Sequence, residues 1–349
     1  MAEIRRVIAI GLLLAALLVS AAAGQSFAPS PSGLTRFEFA QAHMGTQFRI
    51  VLYARDAEIA AKASTAAFER IARLDATMSD YRETSELMMA CKQATRRWVQ
   101  LSPDLFRILA LSQQAARRSA GAFDVTVGPV VRLWRRARRT NALPDAKKLA
   151  AARQRVGYRR LRLDARRQAM RLERSGMLID LGGIAKGYAA DAALAVLKAH
   201  GIGIALIAAG GDIVAGESPP GSNGWTVAVR ALSSTDEATM IHLRLVNAAV
   251  STSGDAEQFV EINGARYSHI INPRTGQALT GRRSVTVVAP SGTASDALAT
   301  TASVLGAARG RRLIDRTPGA AAHIEQMRGD RLLVSESKRW RDVAQTPMR

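Results

Sequence analysis

The chain has 349 residues, of which 48% are hydrophobic, and 49 basic against 29 acidic residues give it a formal net charge of +20. Forty-two of the basic residues are arginine and seven are lysine, while Cys91 is the only cysteine. A single cysteine excludes an internal disulfide and a zinc site built on paired cysteines. The length beyond residue 36 is sufficient for one large or two packed α/β lobes with a substantial core.

The N-terminal residues have the three parts of an export signal. Arg5 and Arg6 form a charged start, residues 7–19 are continuously apolar, and the small residues at 20–24 suit a cleavage site. The apolar run is short for a transmembrane helix, and the arginine pair leaves the Sec and twin-arginine routes open. No cysteine follows the run, so a lipid anchor is not expected there and the protein is expected in the periplasm. Three segments are predicted: a signal peptide at 1–23, a flexible linker at 24–36, and one domain at 37–349.

The first half of the domain is predicted to alternate strands and helices. Residues 37–53 predict two short strands around Met44-Gly45-Thr46. Residues 57–75 predict a helix, because their apolar residues recur at helical spacing. Further helices are predicted to begin at Ser102-Pro103, where the serine is a suitable cap, and at Pro129.

The second half is predicted to consist mainly of strands. These are expected at 204–209, 225–230, 240–246, 249–254, 259–262, 266–271 and 284–289, followed by a helix at 295–305. The turn Asn263-Gly264 is expected to join two of the strands into a hairpin. Runs of strands with interspersed helices and hairpins favour an α+β fold over a regular doubly wound sheet.

Residues 132–174 form an arginine-rich block with 16 basic and three acidic residues, a net charge of +13. Such a block suits contact with an anionic membrane surface or an acidic partner, or it is simply a solvated surface of an arginine-rich chain, which we prefer. A nucleic-acid partner is not expected, because the block lacks interleaved aromatic residues and the chain has no helix-turn-helix or zinc pattern.

One stretch has the pattern of a phosphate-binding turn. An apolar strand is predicted from Leu178, and it runs into Gly182-Gly183 and then a helix that begins near Lys186. Main-chain N–H groups and a lysine at a helix N-terminus suit a phosphate. The stretch is not a Walker A loop, because Lys186 precedes Gly187 and Tyr188 stands where a Ser or Thr would hold a metal. An ordinary turn with a surface lysine remains the alternative.

Polar residues interrupt apolar runs at three further places. Asp180 lies across the turn from Lys186, which allows an ion pair, and Gly210-Gly211-Asp212 follows a predicted buried strand. Asp296 and Thr300 are four residues apart in a mostly apolar helix, so that their oxygens share one face. A carboxylate and a hydroxyl at that spacing suit a hard cation such as Mg²⁺.

Among the five histidines, His269 is the best candidate for proton transfer, because it lies inside a predicted strand bounded by polar and turn residues. His43 is a weaker second candidate. His200, His242 and His323 are predicted at the surface or at the ends of elements. The chain has no HExxH or GxSxG pattern, so zinc hydrolysis and the usual serine-hydrolase arrangement have no support.

Eight segments stand out in chain order: Met44-Gly-Thr46, Leu74–Tyr81 with Ser85-Glu-Leu87, Gly121-Ala-Phe-Asp124, Asp180–Tyr188, Gly210-Gly-Asp212, Ser253-Gly-Asp255, His269–Gly276 and Ala294–Thr300. In this order they resemble the motifs of the ApbE family, which are FAD:protein FMN transferases. The resemblance extends from about residue 37 to beyond residue 305. The chain resembles this family over nearly all of the predicted domain.

The resemblance implies an α+β fold of two tightly packed α/β lobes with FAD in the cleft between them. It implies Mg²⁺-dependent transfer of FMN from FAD to a threonine hydroxyl of a target protein, through a phosphoester bond and with release of AMP. The acceptor would be a membrane-associated redox protein. Two alternatives stay open: a FAD pyrophosphatase that yields FMN and AMP, and a non-catalytic periplasmic protein that binds or delivers FAD.

The resemblance also assigns roles to residues of this chain. His269 resembles the catalytic acid/base. The implied FAD contacts are Met44, Tyr81, Ala122, Phe123, Asp124, Asp180, Lys186 and Ile271. The implied metal site consists of Gly183, Asp296, Ala299 and Thr300. Tyr81 and Phe123 are expected to offer apolar surface to the flat rings of FAD.

Overall fold

The structure, a computed structural model, describes residues 33–232, 240–254 and 259–345. The predicted signal peptide and most of the predicted linker lie outside these residues, as does Asp255 of the Ser-Gly-Asp segment. Within the described residues, no helix is both long and apolar enough to cross a membrane.

Helices and strands are interspersed along the described chain. The helices are α1 (Ala57–Met78), α2 (Glu86–Gln93), α3 (Pro103–Arg118), α4 (Gly128–Thr140), α5 (Ala146–Arg153), α6 (Ala185–Ala199), α7 (Gly292–Leu305), α8 (Ala307–Asp315) and α9 (Trp340–Val343). The strands are β1 (Thr35–His43), β2 (Thr46–Ala54), β3 (Val99–Gln100), β4 (Leu161–Asp164), β5 (Ala169–Leu172), β6 (Ala205–Ala209), β7 (Asp212–Ala215), β8 (Trp225–Val229), β9 (Ile241–Leu245), β10 (Ala248–Gly254), β11 (Phe259–Ile262), β12 (Ala265–Ile271), β13 (Ala278–Thr280), β14 (Arg283–Ala289), β15 (Ala321–Arg328), β16 (Arg331–Glu336) and β17 (Ala344–Gln345).

The largest sheet has eight strands in the order β1-β2-β6-β7-β10-β14-β15-β16, and every neighbouring pair is antiparallel. Successive side chains of a strand point to opposite faces. Ile50 and Leu52 of β2 therefore pack with the helices α1 and α6 on one face. Val51 packs on the other face with Trp225, which belongs to the small sheet β17-β9-β8. The large sheet thus lies between a helical layer and a second sheet.

A smaller body is built from α4, α5 and the sheet β11-β12-β13. Trp134 of α4 and Leu149 of α5 are buried against Ile262 and Ile271 of the sheet. The indole N–H of Trp134 donates a hydrogen bond of 2.9 Å to the carbonyl of Gly276, in the turn that follows β12. This hydrogen bond fixes the turn after the predicted catalytic strand to a helix of the arginine-rich block.

The α+β prediction is confirmed, and the described helices and hairpins begin close to where the sequence placed them. The strand predicted from Leu178 is wrong. Leu178 forms only an isolated parallel bridge with Val127, and the N–H of Asp180 donates to the carbonyl of Val125 at 2.7 Å. The segment is largely buried, as a strand would be, but within the part of the chain that the structure describes it belongs to none of the sheets. The predicted turn at Asn263-Gly264 is present between β11 and β12.

Candidate functional site

Three charged side chains from distant parts of the chain meet at one point, and we call them the Lys186 cluster: Lys186, Asp212 and Asp296. Lys186 lies in the first turn of α6, Asp212 begins β7, and Asp296 lies near the start of α7. The Nζ atom of Lys186 is 2.7 Å from Oδ2 of Asp212 and 3.7 Å from Oδ2 of Asp296. Both carboxylates are almost completely buried, with side chains 4% and 7% exposed, whereas the lysine side chain is 28% exposed. Two buried carboxylates therefore share one cation.

This excess of negative charge shifts the pKa values of Asp296 and Lys186. Burial and the charge of Asp212 raise the pKa of Asp296 to about 7, against the opposing effects of Lys186 and the N–H of Gly187. Burial alone would lower the pKa of Lys186, but Asp296 and Asp212 outweigh it and hold that pKa above its ordinary value. The lysine is therefore charged, and the ionised form of Asp296 is under-compensated. An additional cation would favour that ionised form.

The cluster depends on an unusually close contact between α6 and α7. A Cβ atom built on Gly187 would lie 2.1 Å from the carbonyl oxygen of Gly292, so only glycine fits at this crossing. One turn further along α6, the carboxylate of Asp191 accepts hydrogen bonds from the N–H groups of Gly292 and Thr293, at 2.7 and 2.9 Å. Asp191 thus caps α7 from the neighbouring helix and fixes the position of Asp296.

The residues predicted to hold the metal lie at the same junction. A Cβ atom on Gly183 would be 2.9 Å from Oγ1 of Thr300, so the Gly183 backbone closely approaches that hydroxyl. Among the described residues the Thr300 hydroxyl has no hydrogen-bond partner, whereas the next hydroxyls on the helix, of Thr301 and Ser303, donate to carbonyls one turn earlier. The carbonyl of Ala299 already accepts the Ser303 hydroxyl at 2.9 Å.

This donor set fits Mg²⁺. Mg²⁺ takes one or two protein carboxylates and keeps positions for waters and phosphate oxygens. Asp296 offers an under-compensated carboxylate, and Thr300 offers a hydroxyl that has no other partner among the described residues. No group of three or more His, Cys, Asp or Glu side chains that could hold a metal occurs within the described residues. A site dominated by carboxylates is therefore not formed there.

Asp180 does not pair with Lys186. Its carboxylate instead accepts a hydrogen bond of 2.8 Å from the guanidinium of Arg135 on α4. The other terminal nitrogen of Arg135 forms an ion pair with Asp80, and the guanidinium carbon lies 4.2 Å from the ring centroid of Tyr81. We call Arg135, Asp80, Asp180 and Tyr81 the Arg135 cluster. It joins two predicted FAD contacts, Tyr81 and Asp180, that come from opposite ends of a 100-residue stretch.

The predicted FAD loop at residues 121–124 is held mainly by hydrogen bonds that the carboxylate of Asp124 accepts. Oδ1 of Asp124 accepts from the N–H and hydroxyl of Thr126, at 2.9 and 2.6 Å, and Oδ2 accepts from the N–H of Tyr158 at 2.7 Å. Burial raises the pKa of Asp124, and these hydrogen bonds oppose the rise. Ala122 and Phe123 are 1% and 4% exposed. The Phe123 ring is part of the main core, so it does not offer the free face that the sequence predicted.

Met44 lies at the tip of the β1–β2 hairpin, next to the turn that precedes Asp212. The tip has two residues of positive φ, Met44 at 49° and Gly45 at 72°. A Cβ atom on Gly210, in the β6–β7 turn, would be 3.1 Å from Oγ1 of Thr46. The Gly210-Gly211-Asp212 segment is therefore a tight hairpin turn, and it places Asp212 in the Lys186 cluster.

His269 lies in an irregular part of β12. Tyr267 pairs with Thr280 and Ile271 pairs with Ala278, so that the register shifts over the residues between them. Irregularities of this kind re-aim side chains and often occur beside active sites. His269 is partly buried, and β12 packs against α7, the helix of Asp296 and Thr300. Ile271 is 6% exposed and packs in the core of the smaller body, which leaves little of its side chain for a ligand.

The comparisons with known proteins agree with this arrangement. Residues 44–324 match the family model described as the ApbE family. The chain belongs to the ApbE family. Among its curated relatives, each named FAD:protein FMN transferase, a protein of Klebsiella pneumoniae is 31% identical over 299 residues, and one of Treponema pallidum is 33% identical over 303 residues. Each alignment covers 82% of this chain and 83% of the relative.

Solved structures of ApbE proteins have the same fold. The flavin transferase ApbE of Vibrio cholerae superposes with a TM-score of 0.80 at 25% identity, over 89% of this chain and 99% of that one. The ApbE protein of Thermotoga maritima gives a TM-score of 0.79 at 27% identity, over 89% and 100% of the two chains. The predicted family and the prediction of a transferase enzyme are confirmed by these relatives.

Three residues of the two clusters were not among the predicted site residues. Asp212 was noticed within its Gly-Gly-Asp segment but received no role, and Asp80 adjoins the predicted contact Tyr81. Arg135 is one of 16 basic residues in the arginine-rich block, and no local pattern distinguishes it from the others.

Proposed function

We propose that this member of the ApbE family transfers the FMN part of FAD to a threonine hydroxyl of an acceptor protein, in a Mg²⁺-dependent reaction that releases AMP. The observation that carries the proposal is the Lys186 cluster beside Gly183 and Thr300. It brings together a charged lysine in the first turn of α6, an under-compensated buried carboxylate on α7, and a hydroxyl of α7 with no partner among the described residues. Such a set suits a diphosphate bound with a divalent cation.

In the proposed reaction, the threonine oxygen forms a bond to the phosphorus of the FMN half while the bond from that phosphorus to the bridging oxygen breaks. The electron pair of the broken bond leaves with AMP, and the proton of the threonine hydroxyl passes to His269. Bound Mg²⁺ would supply charge stabilisation at the diphosphate, held by Asp296 and Thr300 with the Gly183 backbone. Lys186 would stabilise the charge that develops on the phosphoryl oxygens.

His269 would contribute by proton transfer, because a threonine hydroxyl is a weak nucleophile at neutral pH. A positioned general base of this kind accelerates a reaction by about 10²–10⁴-fold. The support for this role is the place of His269 in the irregular part of β12, against the helix that carries Asp296 and Thr300. The carboxylates of the Lys186 cluster keep the lysine charged, so Lys186 is not a second candidate for the base.

The proposed acceptor is a membrane-associated redox protein that the enzyme meets in the periplasm. Contact between the arginine-rich block and an anionic membrane surface is part of this proposal. That contact predicts binding to vesicles of anionic lipid that weakens as salt is added, because exposed charges are screened.

The test is a labelling reaction with the protein, FAD, MgCl₂ and a candidate acceptor. Mass spectrometry should find FMN on one threonine of the acceptor, and an equimolar amount of AMP should appear. An Asp296→Asn variant provides the inactive control, and an acceptor with that threonine changed to valine provides the negative substrate. Absence of label on an acceptor that the Treponema pallidum relative does label would contradict the proposal.

The same experiment separates the two alternatives. AMP together with free FMN and an unlabelled acceptor would indicate a FAD pyrophosphatase, with water in place of the threonine. Bound FAD without release of AMP would indicate a protein that only binds or delivers FAD.

A further inference from the structure

We propose that Arg135 is a positioning residue for FAD. Its guanidinium supports one face of the Tyr81 ring and fixes Asp180. The outer face of the tyrosine ring is thereby a preformed platform for one of FAD's planar ring systems. This inference rests on the proposed function only in taking FAD as the ligand. It assigns a role to a residue of the arginine-rich block that the sequence did not single out.

The first observation is the exposure of Tyr81. The side chain is 72% exposed, which is unusual for a large aromatic residue that nevertheless has a fixed place. The N–H groups of Tyr81 and Arg82 both donate to the hydroxyl of Ser79, at 3.3 Å each. The Ser85 hydroxyl in turn donates to the Ser79 carbonyl at 2.6 Å. The turn that carries the ring is therefore ordered by its own hydrogen bonds.

The second observation is the contact beneath the ring. The guanidinium carbon of Arg135 lies 4.2 Å from the ring centroid of Tyr81, a cation–π contact that covers one face. The high exposure of Tyr81 means that its other face remains open to solvent. An aromatic ring supported on one face and open on the other is suited to stack on a flat heterocycle, and both the adenine and the isoalloxazine of FAD are flat.

The third observation is how Arg135 itself is held. Its side chain is only 15% exposed, and its two terminal nitrogens contact different carboxylates, Asp80 and Asp180. Asp180 also accepts the N–H of Gly182 at 2.8 Å, which ties the arginine to the turn that leads into α6. Only the planar fork of a guanidinium can satisfy two carboxylates in its plane while its face stacks on a ring. A lysine at position 135 could place its ammonium near the carboxylates, but it has no planar face to stack on the ring at the same time.

The experiment measures FAD affinity of the full chain with MgCl₂ by quenching of flavin fluorescence, together with the rate of AMP release at saturating FAD. The variants are Arg135→Gln, Arg135→Lys, Tyr81→Leu and the double variant Arg135→Gln/Tyr81→Leu. The matched control is Arg136→Gln, which removes the same charge from the next, exposed position of α4. Thermal unfolding without FAD checks that each variant is folded.

Arg135→Gln is expected to weaken FAD binding about tenfold, because the unsupported Tyr81 ring must then be ordered when FAD binds. Its rate at saturating FAD should change less than about twofold, since Arg135 does not touch the reacting atoms. Arg135→Lys should recover little of the affinity, and Arg136→Gln should bind FAD like the wild type. In the Tyr81→Leu background, Arg135→Gln should weaken binding much less than it does alone, because the platform is already absent.

Unchanged FAD affinity of Arg135→Gln would overturn the proposal, as would effects of Arg135→Gln and Tyr81→Leu that simply add. A fall of the melting temperature of Arg135→Gln together with its rate at saturating FAD and its FAD affinity would also overturn the proposal, because it would show that Arg135 has only a structural role. If Arg135→Gln fails to fold, the exposed Tyr81→Leu variant decides: normal FAD affinity of that variant excludes the platform. A wild type that binds FAD but labels no acceptor would contradict the proposed function alone, while a wild type that does not bind FAD would overturn both.

Discussion

Two clusters of this molecule have the same formal composition, one basic side chain between two carboxylates, but they differ in how completely the charges are matched. In the Arg135 cluster, each carboxylate contacts its own guanidinium nitrogen. In the Lys186 cluster, the ammonium is 2.7 Å from Asp212 but 3.7 Å from Asp296. Asp296 is left as the poorly matched member, and burial and Asp212 raise its pKa to about 7.

The difference follows from the chemistry of the two cations. A guanidinium presents donors in a fixed planar fork, so it can match two carboxylates at once, while an ammonium acts as a compact point charge. The Arg135 cluster is therefore a closed clamp that positions its neighbours. The Lys186 cluster is open to a further cation and to phosphate oxygens.

The largest effect is expected for Asp296→Asn, which removes the poorly matched carboxylate of the open cluster. Flavin transfer should fall about 10²–10³-fold, the loss typical for removal of one group that stabilises transition-state charge. Mg²⁺ should stabilise the wild type against thermal unfolding, by about 2.7 kcal/mol at a hundred times its dissociation constant. The variant should lose that stabilisation.

The matched control for Asp296→Asn is Asp330→Asn, at an exposed position of the β15–β16 turn. It should retain both the activity and the response to Mg²⁺. A variant at position 296 that is still stabilised by Mg²⁺ would show that the cation binds elsewhere, and the open character of the Lys186 cluster would then need another explanation.

The next largest effect, on stability, is expected for Gly187→Ala, at the crossing of α6 and α7 that positions the Lys186 cluster. Helix propensity alone would favour alanine by about 1 kcal/mol. However, its Cβ would lie 2.1 Å from the Gly292 carbonyl oxygen, a backbone atom that cannot turn away. Overpacking costs about 1–3 kcal/mol and sometimes more, so we expect a net loss of about 2 kcal/mol in the free energy of unfolding, measured by denaturant titration.

The control for the crossing is Gly182→Ala. A Cβ at Gly182 would meet only Oδ1 of Asp180, at 3.0 Å, which is a milder contact with a side-chain atom, although that atom also accepts the Gly182 N–H. It should cost clearly less than Gly187→Ala. Equal stability of Gly187→Ala and the wild type would mean that α6 and α7 can separate at no cost, and that the close crossing does not fix Asp296.

A smaller effect is expected for Lys186→Met. It leaves Asp212 and Asp296 facing each other without their cation, so flavin transfer should fall about 10–100-fold, as for loss of one charged contact to a phosphoryl group. Because Mg²⁺ can replace part of the missing positive charge, the variant should recover partly as MgCl₂ is raised. Lys186→Arg provides the control that retains the charge. Loss of activity that no concentration of MgCl₂ relieves would instead indicate that the lysine contacts FAD alone.

The two clusters also show what the sequence could and could not predict. Lys186 was singled out by the glycine turn that precedes a helix, and Asp296 and Thr300 by their spacing on one helix face. The role of Gly183 was implied by the resemblance to the ApbE family. The structure brings these residues to one junction. The partner of Asp180 was not predicted. Proximity along the chain allowed an ion pair with Lys186, whereas the actual partner, Arg135, is 45 residues away. No local pattern carries a contact of that kind, because it depends on how α4 packs against the 178–183 segment.

Secondary structure shows the same limit. The hairpin turns at Met44-Gly45 and Asn263-Gly264 were predictable, because the turn residues determine them locally. The same holds for the helices that begin at Pro103 and next to Pro129, because each has a proline in its first turn. The strand at Leu178 was not correctly predicted, since an apolar run gives the same pattern whether or not a neighbouring strand pairs with it. His323, expected at the surface or at the end of an element, is 9% exposed and is the third residue of β15.

The smallest effect is expected for Asp80→Asn, within the closed cluster. Burial and the nearby Asp180 raise the pKa of Asp80 above its ordinary value of 3.8, although Arg135 opposes the rise. A carboxyl whose pKa is higher in the folded state binds its proton more tightly there, so its ionisation lowers stability as the pH rises from about 4 through the folded-state pKa. Asp80→Asn should remove this part of the pH dependence. It should change the free energy of unfolding near pH 7 by about 1 kcal/mol or less, because Asp180 still pairs with Arg135 and the repulsion between the two carboxylates is relieved. Denaturant titrations between pH 4 and 8 measure both.

Asp180→Asn should behave differently, because it also removes the acceptor of the Gly182 N–H. Loss of several kcal/mol in Asp80→Asn would show that Arg135 depends on Asp80 for its position, and that the closed cluster is a single unit rather than an arginine held mainly by Asp180.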